Sequence, residues 1–337
     1  MKILVGISGG VDSAFAAKKL LLEGHDVEGA VLIMHEYTEL SAAREAAASV
    51  GIPLHEIDCR PQFEEIKQNF VSEYTSARTP NPCIICNERV KFKGLYDFAQ
   101  SHGFDAIATG HYARLTRVGD RYSLAIPEDV RKEQTYMLYR LPQHILSHLV
   151  LPLSELTKPQ IRAMAEDEGI SAANREDSQE ICFLPEGNHT DYIESVAGRS
   201  PEGNFVDSDG KILGRHKGII HYTIGQRKGL GISLGERAFV VKIDPVENTV
   251  TLSPDLPGRD SLIITDPVYS GMEPPTEEME LTLDVKLRYT APLISSTVRL
   301  YPDGRAEILL PAPQRFAPGQ SAVLYRDGVV MLGGFIG

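Results

Sequence analysis

The sequence predicts an α/β chain: a doubly wound parallel sheet, then a small central domain, then a C-terminal β-barrel. Three observations predict it. The apolar run Ile3-Leu4-Val5-Gly6-Ile7 breaks at Ser8-Gly9-Gly10 and opens directly into a helical pattern. Strand and helix signals then alternate as far as Thr109, and strands separated by helices of this length imply a parallel sheet covered on both faces. Beyond about residue 200 the texture changes to short Val, Ile, Leu and Thr runs between Asp-Gly, Pro-Gly and Glu-Asn turns, the punctuation of a mainly β region.

Along the chain, Ile3 to Ile7 reads as a buried strand, and Val11, Ala14, Phe15, Leu21 and Leu22 make one face of a helix that stops at Gly24. Val27 to Met34 follows as a strand, Leu40 to Val50 as a helix and Leu54 to Asp58 as a third strand. Pro61 to Ala77 is a helix with proline in its first turn, Glu88 to Ser101 another helix, and Asp105 to Thr109 a fourth strand ending at Gly110. After Leu141 the pattern is helical, and Thr157-Lys158-Pro159-Gln160 fits a capping box that starts a helix running to Gly169. The acidic, proline-containing stretch from Gly271 to Glu280 reads as a linker ahead of a barrel of about six strands. The expected boundaries are 1–198 for the sheet domain, 199–262 for the central domain and 263–337 for the barrel.

At 337 residues the chain is long enough for two or three domains and a sizeable core. No secretory h-region and no membrane-length apolar run is present, so a soluble, cytoplasmic protein is expected. Four cysteines, Cys59, Cys83, Cys86 and Cys182, are too few for a disulfide framework, which leaves catalysis, metal binding, redox use or simple burial. The net charge of −12 argues against broad nonspecific nucleic-acid binding. Arg215 to Lys228 nevertheless holds four Lys or Arg and two His with no acidic residue, which fits either a phosphate-contacting face or a solvated loop.

The loop Ser8-Gly9-Gly10-Val11-Asp12-Ser13 carries the most chemistry. A strand that ends in a glycine turn and opens a helix aims backbone N–H groups and the helix's positive end at one point, where phosphate oxygens bind. It is neither a Walker A loop nor a Gly-x-Gly-x-x-Gly turn. An ordinary helix cap by Ser8 or Asp12 is the plain alternative, but two adjacent glycines weaken a turn that has no need of them. By the loop's resemblance to the pyrophosphate-binding loop of ATP pyrophosphatases, Asp12 would hold Mg²⁺, a hard cation suited to carboxylate and phosphate oxygens.

Thr79-Pro80-Asn81-Pro82-Cys83-Ile84-Ile85-Cys86-Asn87 is the second feature. Two prolines stiffen the backbone ahead of a helix, and a thiol near a helix N-terminus has its thiolate favoured. A structural zinc site normally needs four ligands, and no second Cys-x-x-Cys exists. The third feature, Asp177-Ser178-Gln179-Glu180-Ile181-Cys182-Phe183, would by itself make Cys182 a core residue.

The first loop looks like the pyrophosphate-binding loop of ATP pyrophosphatases. The ordered series that contains it resembles the tRNA-specific 2-thiouridylases from end to end: residues 8–13, 79–87, Lys91-Phe92, Gly110-His111-Tyr112-Ala113-Arg114, Lys132-Glu133-Gln134, the Cys182 segment, and 221–232. The resemblance implies an adenine nucleotide α-hydrolase-like sheet domain with ATP held by Gly6, Ile7, Ser8, Gly9, Gly10, Val11, Asp12, Ser13, Leu32 and Gly110, with Mg²⁺. It implies that ATP adenylates C2 of the wobble uridine in tRNA and that a persulfide on Cys182 delivers sulfur there. The same resemblance implies that Cys86 is the nucleophile that would resolve it as a disulfide with Cys182, by ordinary thiol exchange. Asn81, Pro82 and Cys83 would face the base, with Lys132, Glu133, Gln134, His111, Arg288, Tyr289 and Gln320 on tRNA. Reading one base requires splaying it from its stack. The implied partners are tRNA and a cysteine desulfurase or sulfur-relay protein, and the chain would be a monomer.

Three departures stand out. The segment between the second strand and second helix is short and the chain has no Trp. Leu32 replaces a Met of the adenine pocket, with Met34 two positions later, a swap of modest cost. Cys83 stands where relatives carry Asp, which leaves open a [4Fe-4S] cluster on Cys83, Cys86 and Cys182 that uses free sulfide. Two other classes stay open as well: an ATP-dependent C–N ligase with the same loop, and a non-catalytic tRNA- or nucleotide-binding module.

Overall fold

The structure, a computed structural model, describes residues 1–173, 175, 181–184, 188–232 and 237–337. The chain begins with β1 (Lys2–Gly6), α1 (Val11–Leu22), β2 (Asp26–Ile33), α2 (Leu40–Val50), β3 (Leu54–Asp58) and α3 (Arg60–Thr75). It continues through α4 (Pro82–Cys86), a π-helical turn (Asn87–Lys91), α5 (Phe92–Ser101) and β4 (Ala106–Ala108). A hairpin of β5 (Arg114–Val118) and β6 (Arg121–Ala125) follows, then the short α6 (Thr135–Leu138) and α7 (Gln143–Leu146), β7 (Leu149–Val150), α8 (Lys158–Asp167) and α9 (His189–Ala197).

The first sheet is parallel, in the order β3-β2-β1-β4-β7. Its central strand is apolar on both faces because both are covered. Ile3 and Val5 pack with α1, α2 and α8, while Leu4 packs with Phe92 and Leu95 of α5. The expected doubly wound sheet is therefore present. Its carboxyl edge gathers the loops after β1, β2 and β4, where ligands of such sheets bind.

The central unit is a four-stranded sheet, β8 (Gly203–Val206), β9 (Ile212–His216), β10 (Phe239–Asp244) and β11 (Thr249–Ser253), in the order β10-β11-β8-β9. Six strands form the C-terminal barrel: β12 (Arg259–Tyr269), β13 (Met279–Lys286), β14 (Ile294–Leu300), β15 (Ala306–Gln314), β16 (Ser321–Arg326) and β17 (Val329–Ile336). β12 pairs with both β15 and β17 and so closes it.

Three local expectations are corrected. The acidic stretch from Gly271 to Glu280 is no linker ahead of the barrel. It joins β12 to β13 inside it, because Leu262 and Ile264 of β12 already lie in the barrel core. The region read as helical after Leu141 includes β7, which adds the fifth strand beside β4. The helix expected from Glu88 starts at Pro82 and passes through the π turn.

The hairpin β5–β6 was not read from the sequence. It lies early in the chain yet pairs with β17 of the barrel, Ala125 opposite Val329. Tyr136 and Tyr139 share a core with Val323, Tyr325 and Val330, so the barrel is fused to the sheet domain rather than tethered. The central unit is likewise continuous with α3 through one core that includes Phe63, Phe70, Phe205 and Val250.

Candidate active site

The phosphate cradle is built as the loop sequence demands. Gly10 stands at the N-cap of α1 with no side-chain cap, so the first N–H groups of the helix stay open and its positive end, about half a unit charge, faces outward. Gly9 has φ +86°, and a Cβ there would lie 2.8 Å from Ala42 Cβ. A Cβ on Gly110 would lie 2.6 Å from the Asp12 carbonyl carbon and 2.7 Å from the Ser13 nitrogen. Gly110, from the end of β4, therefore closes directly on the first turn of α1.

Ser13 serves the loop itself. Its hydroxyl donates to the Gly10 carbonyl at 2.9 Å and accepts from the Ser8 N–H at 3.1 Å, and the residue is buried. Ser8 is exposed and available to a ligand. Gly6 ends β1, Ile7 and Val11 are buried beside it, and Leu32 is half-buried near the end of β2, between two cores.

Asp12 has partners that sequence reasoning missed. The Lys158 ammonium donates to both of its carboxylate oxygens at 2.8 and 2.7 Å, and the Tyr112 hydroxyl donates to Oδ1 at 2.7 Å. Lys158 was legible only as part of a capping box. The signal for more was a lysine at the first position of a helix where it would otherwise be solvated; it is buried instead. Mg²⁺ keeps several waters and takes one or two carboxylates plus phosphate oxygens, so Asp12 fits as a protein ligand once Lys158 gives way to it.

The sulfur centre lies one loop away. Asn81 caps α4 by accepting from the Cys83 N–H at 3.2 Å, Pro82 occupies the first turn, and Cys83 is half-buried beside it. The helix-terminus argument thus applies to Cys83 but not to Cys86, which sits at the far end of α4. Cys86 is buried against Met34, sulfur to sulfur 3.9 Å. Burial pushes its thiol up to about 12; Lys91 opposes this, while Cys182, Cys83 and Cys59 reinforce it. Cys182 is exposed by its surface area, yet the atoms packed around its sulfur desolvate the thiol and raise its pKa, with Lys91 pulling the other way. Phe183, its neighbour, is anchored edge-on to Phe63 and Phe70 with ring centroids 5.6 and 5.3 Å away, in the same core as Cys86. Residues Asp177 to Glu180 of this motif lie outside the described residues.

Cradle and sulfur centre meet at Gly110-His111. Gly110 touches Asp12 and Ser13, while the His111 ring packs 5.3 Å from Phe92 and is pushed down to about 3 by burial and then by the charge of Lys91. All four cysteines are free thiols. Among the described residues no three His, Cys, Asp or Glu side chains stand as a group that could hold a metal ion.

The residues expected on tRNA divide into two sets. Arg288 is exposed, Lys132 and Tyr289 half-buried. Glu133, Gln134, His111 and Gln320 make internal contacts, and Lys132 is not without a partner either. Glu133 is buried and paired with Lys286 of β13 and with the Thr135 hydroxyl, so its carboxylate is not offered at the surface. Gln134 accepts from the Tyr112 N–H at 2.8 Å, and His111 Nδ1 lies 2.9 Å from the Thr109 hydroxyl. Gln320 donates to the Thr79 carbonyl at 2.8 Å, and the Thr79 N–H donates to the Pro318 carbonyl at 2.8 Å. The stiff Cys83 loop is therefore held by the barrel.

Residues 1–186 match the family model described as the tRNA methyl transferase HUP domain. Residues 190–254 match its PRC-barrel domain, and 259–336 an aminomethyltransferase β-barrel domain. A tRNA-specific 2-thiouridylase MnmA of Clostridium beijerinckii is 42% identical over 353 residues, covering 99% of this chain and 98% of the relative. The chain belongs to the tRNA-specific 2-thiouridylase family. A second relative of that name, from Clostridium acetobutylicum, is 40% identical over 353 residues, with 99% of each chain covered. A solved 4-thiouridine synthetase–RNA complex with bound ATP matches at 19% identity and a TM-score of 0.39, over 54% of this chain and 44% of that one. Membership of the family assigns sulfurtransferase chemistry to the chain. No described helix is long and apolar enough to cross a membrane.

Proposed function

We propose that this chain thiolates C2 of the wobble uridine of tRNA by a persulfide relay from Cys182 to the base, resolved by Cys86. The observation that carries the reading is the junction at Gly110-His111, where the phosphate cradle and the cysteines share one carboxyl edge of the sheet. The C2 oxygen of the base attacks the α-phosphorus of ATP, forming the O–P bond of the adenylate as the bond to pyrophosphate breaks; Asp12 would hold Mg²⁺, which would offset the charge of the phosphates. The terminal sulfur of the Cys182 persulfide then attacks C2, forming an S–C bond as the C–O bond to AMP breaks. Cys86 Sγ next attacks Cys182 Sγ. The S–S bond to the transferred sulfur breaks, its electron pair stays with the base as 2-thiouridine, and a Cys86–Cys182 disulfide remains. A dithiol reductant resets it.

Asn81, Pro82 and Cys83 flank the splayed base, with Lys132, Arg288 and Tyr289 as the contacts to tRNA. Glu133, Gln134, His111 and Gln320 hold those contacts in place from behind. The exposed Cys182 suits loading by a cysteine desulfurase or relay protein, in a monomeric, cytoplasmic enzyme. The test is mass spectrometry of wobble uridine from cells with and without this gene: loss of 2-thiouridine is expected, and an unchanged level overturns the reading. Anaerobic purification with iron and sulfide assays tests the relay separately, since stoichiometric iron with activity on sulfide alone would replace it.

A further inference from the structure

Lys91 ends the π-helical turn that follows Cys86. In an α-helix, residue i+5 lies about 140° around the axis from residue i, on a different face. Here the turn is widened, with the Phe92 N–H donating to the Asn87 carbonyl five residues back, and position 91 swings toward the bearing of position 86. Single π turns interrupt helix regularity and occur largely at functional sites.

The surroundings of Lys91 give the second observation. It is half-buried, and among the described residues its ammonium makes no hydrogen bond or ion pair. Glu88, in the same turn, is spent on Arg140 at 2.7 and 3.3 Å, and Glu133 on Lys286. The groups that share its field are Cys86, Cys83 and Cys182, with the imidazoles of His111 and His35 also within it. His35 itself is buried with an unpartnered Nδ1. A half-buried ammonium with no carboxylate partner among the described residues is costly, and the anionic partners in its field are sulfurs once they ionise.

We propose that Lys91 is the positioning cation of the sulfur centre, holding first the anionic terminal sulfur of the Cys182 persulfide and then the Cys86 thiolate in line with their targets. The inference rests on the sulfur-transfer reading above. Lys91 keeps its proton throughout; negative charge passes from the persulfide to the departing AMP and then from Cys86 to the sulfur on the base. The resting Cys86 thiol is held protonated by burial, so a fixed cation is what would let it ionise without exposure to water.

The test uses the full-length protein with its persulfide preloaded, comparing Lys91→Met and Lys91→Arg with wild type. Pyrophosphate release with ATP and tRNA measures adenylation, and single-turnover formation of 2-thiouridine measures transfer. Lys91→Met is expected to slow transfer roughly a hundredfold, the scale set by losing one preorganised charge partner, while adenylation changes little. Lys91→Arg is expected to recover most of the loss. Wild-type transfer in Lys91→Met, or an equal fall in both half-reactions, would overturn the inference. Absence of 2-thiouridine from preloaded wild-type protein would instead remove the thiolation reading beneath it.

Discussion

The phosphate cradle and the sulfur centre occupy the same sheet edge and are opposite kinds of site. The cradle is finished: an uncapped helix end, a loop clamped by Ser13, and glycines where a side chain would collide. The sulfur centre is closed. Cys86, the proposed nucleophile, is buried and held protonated, and Cys182, the proposed persulfide carrier, is the exposed cysteine of the four. Nucleotide chemistry needs only preorganised donors. Persulfide chemistry needs a sulfur that can reach a donor outside and a base inside, so rearrangement belongs to that half.

The largest effect that would sharpen this contrast is chemical. Cys86→Ser should abolish 2-thiouridine formation while leaving ATP- and tRNA-dependent pyrophosphate release close to wild type, read in one reaction by mass spectrometry and phosphate assay. Loss of both activities would break the separation between the two halves. A C–N ligase would keep forming product in this variant.

Gly110→Ala attacks the finished half. Its Cβ would meet the backbone of Asp12 and Ser13 at 2.6 to 2.8 Å, and backbone cannot rotate away. The first turn of α1 must move, at a cost of about 2 kcal/mol, and the KM for ATP should rise at least tenfold. Persulfide loading of Cys182 should be untouched, which alkylation mass spectrometry would show.

Legibility follows the same divide. The cradle is contiguous, and its strand end, its glycines and the start of its helix all lie within residues 3–13, so its strand, turn and helix were legible in the sequence alone. Its partners Lys158 and Tyr112 come from 146 and 100 residues away and were hidden, one in a capping box and one in a motif read for its glycine and histidine. The Cys83 loop is marked by its prolines, and the helix N-terminus that favours a thiolate serves Cys83 and not Cys86, because the helix begins at Pro82 and ends at Cys86. The π turn left no local signal. The hairpin β5–β6 alternates as a strand pair should, but its docking on β17 depends on a barrel two hundred residues later.

Lys158→Met tests whether the cradle is poised as well as formed. Without the ammonium, Asp12 keeps only the Tyr112 hydroxyl among the bonds described here. Asp12 is partly solvated, so the loss should be about 1 to 2 kcal/mol rather than that of a fully buried pair. The thermal shift produced by Mg²⁺-ATP should then exceed that of wild type if the cation replaces Lys158 on Asp12. A shift smaller than wild type would mean that Lys158 itself holds the phosphates.

The smallest effect lies at the junction of the two halves. His111 is held neutral, its pKa pushed down to about 3 by burial and by Lys91, whereas in the unfolded chain it titrates near 6.5. The unfolded state therefore binds a proton that the folded state refuses. The stability gained from this is complete above about pH 6.5 and is lost progressively as pH falls from there toward 3, at a slope of at most about 1.4 kcal/mol per pH unit. Denaturant melts between pH 7 and 5 should show that slope, and His111→Gln, which cannot titrate, should flatten it. An unchanged slope in His111→Gln, or an imidazolium signal for His111 at pH 5.5 by NMR, would show that the junction is solvated and that the sulfur centre is less closed than its geometry implies.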